Sequence, residues 1–153
     1  MRRRAFIGGS SALVTGGCIG AVSRDCTYSY VSLPDVKDGN TYPDPTEENW
    51  REPDQDVVEA FELAYVYNRD YRESYDEFHL STGRDSVAIE GETVTIQTVT
   101  AASYEYRDDE LYAHADFAWS VTYFFQGDVL RAEGHARDPP EDVEEATVVV
   151  ACE

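Results

Sequence analysis

The stretch VTIQTVTAASYEYRDDELYAHADFAWSVTYFF, residues 94–125, decides the fold. Its first half holds Val94, Ile96, Ala102, Tyr104 and Tyr106 at even positions, and its second half holds Leu111, Ala113, Ala115, Phe117, Trp119, Val121, Tyr123 and Phe125 at odd positions. Alternation with period two marks strands that turn one face to a core. Asp108-Asp109 reads as the turn between them. A two-residue turn there pairs residues whose numbers sum to 217, so Tyr104 faces Ala113, Tyr106 faces Leu111 and His114 faces Ser103. Gln126-Gly127-Asp128 reads as a second turn. A two-residue turn at 126–127 gives a sum of 253, with Val121 facing Ala132, Tyr123 facing Leu130 and Asp116 facing Arg137. In these registers the apolar sets share one sheet face, whereas a one-residue slip moves them to opposite faces.

Working outward, Val129–Arg137 reads as a strand with Leu130, Ala132, Gly134 and Ala136 on its apolar side, Asp138-Pro139-Pro140 breaks it, and Thr147–Cys152 is a near-continuous apolar strand. Val87–Ile89 and Cys26–Leu33 read as shorter strands. Residues 34–53 contain four Pro and read as an irregular loop. Pro53 begins a helix of roughly 25 residues, with Asp54 and Asp56 at the positive end of its dipole. Its stripe is Val57, Phe61, Ala64, Asn68, Tyr71, Tyr75 and Phe78, and Leu63, Val66 and Tyr67 make its middle apolar on most sides, as for a helix buried on more than one face. Gly83 ends it, and His79 suits its C-terminus. The expected fold is α+β: one long amphipathic helix packed on a four- to five-stranded antiparallel meander sheet, in a single acidic domain over residues 26–153. The order of elements is similar to cystatin-like and nuclear-transport-factor-like folds, a likeness that implies a curved sheet around a helix and no particular activity.

The 153 residues carry 12 basic and 31 acidic groups, and Lys37 is the one lysine against 11 Arg. Residues 1–17 hold three Arg and no acid, so the remaining 136 residues carry 9 basic and 31 acidic groups, a charge of −22. Such a chain lacks the clustered cations that neutralise phosphates, which argues against nucleic acid as a partner. Its 42% hydrophobic and 12% aromatic content argues against disorder.

The leader carries the clearest motifs. Arg2, Arg3 and Arg4 precede 13 uncharged residues, Ala5 to Gly17, the length of a signal-peptide apolar region and too short to span a bilayer. Arg3-Arg4-Ala5-Phe6-Ile7 resembles a twin-arginine export signal, which implies export of a folded protein. Val14-Thr15-Gly16-Gly17-Cys18 resembles a lipobox, although Thr15 departs from the usual Leu. The resemblance implies cleavage after residue 17, a lipid on Cys18, and residues 18–25 as the lipidated Cys and its tether. Stable retention then needs two acyl chains or one very long one. Secretion without lipid, cleaved near Gly17, and an uncleaved N-terminal anchor are the alternatives. With its acidity and lack of lysine, the chain resembles secreted proteins of extremely salt-loving archaea. At molar salt the Debye length falls to about 3 Å and self-repulsion is screened, so folding is expected to need high salt.

The chain has three Cys. If Cys18 carries lipid, Cys26 and Cys152 remain and can form a disulfide in the oxidising exterior, the alternative being two free or buried thiols. His114 and Asp116 share the polar sheet face with His135, where a solvated surface outweighs a metal or acid–base site because a third ligand is missing. Asp108, Asp109 and Glu110 read as hairpin-tip acids. Neither a nucleophile elbow nor a phosphate-binding loop is present, and no catalytic residue, metal or cofactor is expected. Tyr104, Tyr106, Phe117, Trp119, Tyr123 and Phe125 are first the expected core, and second a candidate aromatic-lined pocket between helix and sheet. The leading functional expectation is a non-enzymatic, lipid-anchored protein of the cell membrane's outer side, structural or binding. Its partners would be the membrane through Cys18 and an unidentified cell-surface partner. The alternative is a carrier of a small apolar ligand, or a small enzyme, using the aromatic pocket.

Overall fold

Six strands, β1 (Tyr28–Tyr30), β2 (Glu77–Glu90), β3 (Thr93–Asp108), β4 (Leu111–Gln126), β5 (Asp128–His135) and β6 (Thr147–Cys152), form one antiparallel sheet in the order β1-β6-β5-β4-β3-β2. The computed structural model describes residues 25–51, 54–90, 93–108 and 111–153. The leader motifs Arg3, Arg4, Phe6 and Ile7, the lipobox with Cys18, and Pro53 lie outside the described residues. A bulge between Arg84 and Ser86 divides β2. The sheet curls into a half-barrel, and two helices, α1 (Glu47–Trp50) and α2 (Gln55–Asp70), precede its long strands.

The molecule is therefore mostly β, and the expected α+β arrangement of a helix of roughly 25 residues on four or five strands is overturned. Helix α2 has 16 residues and stops at Tyr71, whose ψ of 139° is extended. The aromatic stripe runs on past the helix for another reason. Tyr71, Tyr75 and Phe78 contact one another in an aromatic string that joins Tyr67 to Tyr104. Steps of three and four here reflect ring packing around a chain reversal, with no helix beneath them. The C-terminal carbonyls of α2 find cations instead of further turns: Lys37 Nζ donates to Tyr71 O at 3.1 Å, and Arg72 Nη1 donates to Arg69 O and Tyr71 O, each at 3.0 Å. Gly83 and His79 consequently lie inside β2, paired with Val99 and Ser103.

The β3–β4 hairpin keeps the expected faces but not the expected partners. Tyr104 pairs with Ala115, Tyr106 with Ala113, Ser103 with Asp116 and Glu105 with His114, because Asp108 pairs with Leu111. Moving a turn by one residue changes the sum by two, so the parity survives. The β4–β5 hairpin behaves differently. Gly127, at φ 96°, turns the chain between Gln126 and Asp128, so Val121 pairs with Glu133, Tyr123 with Arg131 and Phe125 with Val129. The sum is one higher than expected, and all of β5 is flipped. Arg131 and Glu133 join Tyr123 on the helix side, while Leu130, Ala132 and Gly134 face away. Asp116 does not meet Arg137, which follows the end of β5.

Both faces of the sheet centre are covered. On the helix side Val58, Phe61, Ile96, Val121, Tyr123, Phe125, Val129 and Val150 form the core with Trp50. Phe61 touches the rings of Tyr30, Tyr42, Trp50, Tyr65 and Tyr123, so α2 is sandwiched between the sheet and the 34–50 segment. This is the helix buried on more than one face that its apolar middle implies. Asn68 fastens that segment, accepting from Lys37 N and donating to Asn40 O, both at 2.8 Å. On the far side the 136–146 segment covers Ser120 and Thr122, which donate to His135 O at 2.6 Å and Pro140 O at 2.7 Å.

Cys26 and Cys152 are at disulfide distance, with Cα atoms 5.0 Å apart across 126 residues of sequence. The link ties the segment entering β1 to the end of β6 and so closes the whole domain. In the chain-entropy picture a loop this long contributes about 4–5 kcal/mol. The double variant Cys26→Ser/Cys152→Ser is expected to lose a large part of that in denaturant unfolding. An unchanged midpoint would show that the bridge contributes nothing.

Candidate functional site

Glu62 interrupts the apolar run Phe61-Glu62-Leu63-Ala64-Tyr65-Val66-Tyr67, and its side chain is fully buried. An isolated buried carboxylate is prohibitively costly, so it needs a matched partner. Arg131 supplies it, with Nε donating to Oε2 at 2.9 Å and Nη2 to Oε1 at 2.8 Å, a two-pronged fork on a planar carboxylate. Tyr123 donates its hydroxyl to the same Oε2, and Thr100 Oγ1 approaches Oε1 at 3.5 Å. The Arg131 guanidinium lies 4.2 Å from the Tyr65 ring centroid. Burial alone would lower the Arg131 pKa, but hydrogen bonds to Glu62 and its charge outweigh this and raise it. Burial, then the charge of Glu62, holds the Tyr123 hydroxyl well above its ordinary pKa of 10.0.

The network runs outward from this pair. Arg131 Nη2 also donates to Glu133 Oε2 at 3.0 Å, and Arg69 Nη1 reaches the same oxygen at 2.7 Å. Arg69 grips Asp70 with Nε and Nη2, both at 2.8 Å. Its guanidinium stands 5.7 Å from the Tyr65 ring and 5.8 Å from the Trp119 ring. Buried core, cleft rim and helix end are thus joined by one alternating chain of charges.

That rim borders a cleft of about 350 Å³, lined by Arg69, Asp70, Arg72, Tyr75, Phe78, Ala102, Tyr104, Phe117, Trp119 and Glu133. The Tyr75 and Tyr104 rings stack at 4.5 Å and 12°, and Phe117 continues the stack at 5.9 Å and 22° from Tyr104. Phe117 is 52% exposed. The Trp119 Nε1 donor is buried without a hydrogen-bond partner. A buried unsatisfied donor costs about 1–3 kcal/mol, here as at Trp50 Nε1 in the core.

The six aromatic residues expected to line a pocket divide among three environments. Tyr123 and Phe125 are core, and the space between helix and sheet is filled by Trp50, Phe61 and their neighbours. Tyr104, Phe117 and Trp119 line the lateral cleft. Tyr106 lies apart, its hydroxyl 3.5 Å from Asp108. Arg69, Arg72, Tyr75, Phe78 and Glu133 went unseen: an overlong helix absorbed the aromatics, and the β5 slip turned Glu133 outward. Glu62, a lone acid in an apolar run, was the signal that an internal cation exists. His114 forms an exposed group with Asp116 at 3.1 Å and Glu105 at 3.7 Å. Among the described residues no cluster of three or more potential ligands could hold a metal ion. A wider groove of about 800 Å³ on the other side of Trp119 is lined by His135, Asp138, Glu141, Asp142 and Glu145 and is a solvated acidic surface.

Comparison of the chain with family models, curated proteins and solved structures finds no match.

Removing one partner of a buried pair strands the other, at about 3–5 kcal/mol, whereas replacing both with apolar groups is close to neutral. Arg131→Met is expected to destabilise by that amount and Glu62→Leu/Arg131→Met to recover most of it, as read by chemical denaturation. Equal destabilisation by the single and double variants would contradict the pairing. Alkali tests the tyrosines. Burial pushes Tyr30 up to about 12 and also raises Tyr123. A hydroxyl whose folded pKa exceeds its unfolded value of 10.0 contributes stability that is present below pH 10 and lost as pH rises through the folded value. Unfolding between about pH 10 and 12, concurrent with the last phenolate absorbance to appear, is expected, and ionisation of all the tyrosines without unfolding would contradict it.

Proposed function

We propose that this protein is exported through its twin-arginine leader, held on the outer face of the cell membrane by lipid on Cys18, and binds a small apolar ligand there without catalysis. The observation that carries the binding part is the lateral cleft, where stacked aromatic walls meet a buried, unpartnered Trp119 Nε1. Its volume lies at the small end of the range for ligand sites. The charged groups beside it favour binding over chemistry. Arg69, Asp70, Glu133 and Arg131 are committed to one another, which suits a rigid rim better than an acid–base pair. The filled space beneath α2 favours a second reading, a purely structural surface protein.

The tether rests on the leader sequence, and the charge of −22 on residues 18–153 suits a domain working in concentrated salt. Expression with the native leader, followed by mass spectrometry of the mature N-terminus, is expected to find a lipid on Cys18, and an unmodified Cys18 would overturn the tether. In the Trp50→Phe variant, small apolar compounds are expected to quench Trp119 emission, with Phe117→Ala weakening binding roughly tenfold. No response across aliphatic, aromatic and sterol-like compounds would leave the structural reading standing.

A further inference from the structure

We propose that the cleft's ligand is a small aromatic carboxylate, its ring stacked on Phe117 and its single negative charge received by Arg72. This rests on the reading of the cleft as the binding site and narrows its ligand from an apolar molecule to an apolar ring that carries one carboxylate. Three described cations have a carboxylate: Arg51 has Glu47, Arg69 has Asp70 and Glu133, and Arg131 has Glu62 and Glu133. Arg72 lines the cleft and has none. One of its nitrogens, Nη1, is held at 3.0 Å by the carbonyls of Arg69 and Tyr71, which fixes the head group while leaving Nη2 and Nε uncommitted. A guanidinium so held offers two parallel donors to a planar carboxylate.

The remaining lining narrows the choice. Arg69 cannot take the anion without releasing Asp70 and Glu133, since its donors already serve both. Those two carboxylates flank the site and repel a second negative charge, so a monoanion fits where a phosphoryl dianion would not. The near-parallel run Tyr75–Tyr104–Phe117 ends at Phe117, which is half-exposed and presents an uncovered ring for a flat partner. Trp119 lines the cleft beside the ring, so its indole reports on occupancy.

The chain contains two tryptophans, so its indole N–H groups give two NMR signals, assigned by Trp119→Phe. The test titrates the full chain at high salt with cinnamate, cinnamamide and cinnamylamine. Cinnamate is expected to move the Trp119 signal, leave Trp50 in place, and bind roughly tenfold tighter than the amide, with the amine weakest. Arg72→Gln should erase the preference for the acid while leaving the affinity for the amide. Equal affinity for acid and amide at Trp119 overturns the anion assignment and leaves the cleft reading intact, and no shift with any of the three overturns both. A preference for acid that survives Arg72→Gln also overturns the assignment. The comparison of acid with amide on the unaltered chain stands even if the variant fails to fold.

Discussion

The Glu62–Arg131 pair is the constraint on which the rest of the structure depends. Each ion loses several kcal/mol of hydration on burial, and the fork, the Tyr123 hydroxyl and the Tyr65 ring return it. Relative to an apolar pair the net is near zero, so its value lies in specificity. Sliding β5 into the expected register would set Leu130 where Arg131 now stands and strand a buried carboxylate. That penalty exceeds anything the apolar Leu130–Ala132 face gains by turning inward, because Ala132 and Gly134 bring little surface with them. The buried charge therefore selects the register of β5 and aims Glu133 toward Arg69.

The consequences reach the cleft. Glu133 is shared by Arg131 and Arg69, and Arg69 holds Asp70 at the last turn of α2. The end of the helix, where Arg72 and Lys37 occupy the carbonyls, is thus referenced to the centre of the sheet. A cleft built this way has a rigid polar rim on one side and an aromatic stack on the other. Only Phe117 is left substantially open among its rings.

The amount legible in the sequence follows the same physics. Strands β3 to β6 were visible because alternation depends only on which face is buried, and the β3–β4 faces survived a misplaced turn because the error was even. The β4–β5 hairpin failed because Gly127 turns alone, and apolar counting preferred Leu130 and Ala132 to an interior arginine. Periodicity sees hydrophobicity and has no means of pairing Glu62 with a cation 69 residues away. The helix was extended by eight residues because Tyr71, Tyr75 and Phe78 keep a helical spacing while packing as rings. Three of the ten residues that line the cleft, Tyr104, Phe117 and Trp119, follow from alternation. The polar residues needed the corrected register and the chain reversal after Asp70.

The side-chain Nε–H of Arg131 reports on the central claim directly. If it is locked on Glu62 inside the core, its hydrogen exchange follows global unfolding and is slower by orders of magnitude than that of the exposed Arg72. An Arg131 Nε–H that exchanges as fast as that of Arg72 under native conditions would place the guanidinium in solvent. The buried pair, the β5 register and the rim of the cleft would then fall together.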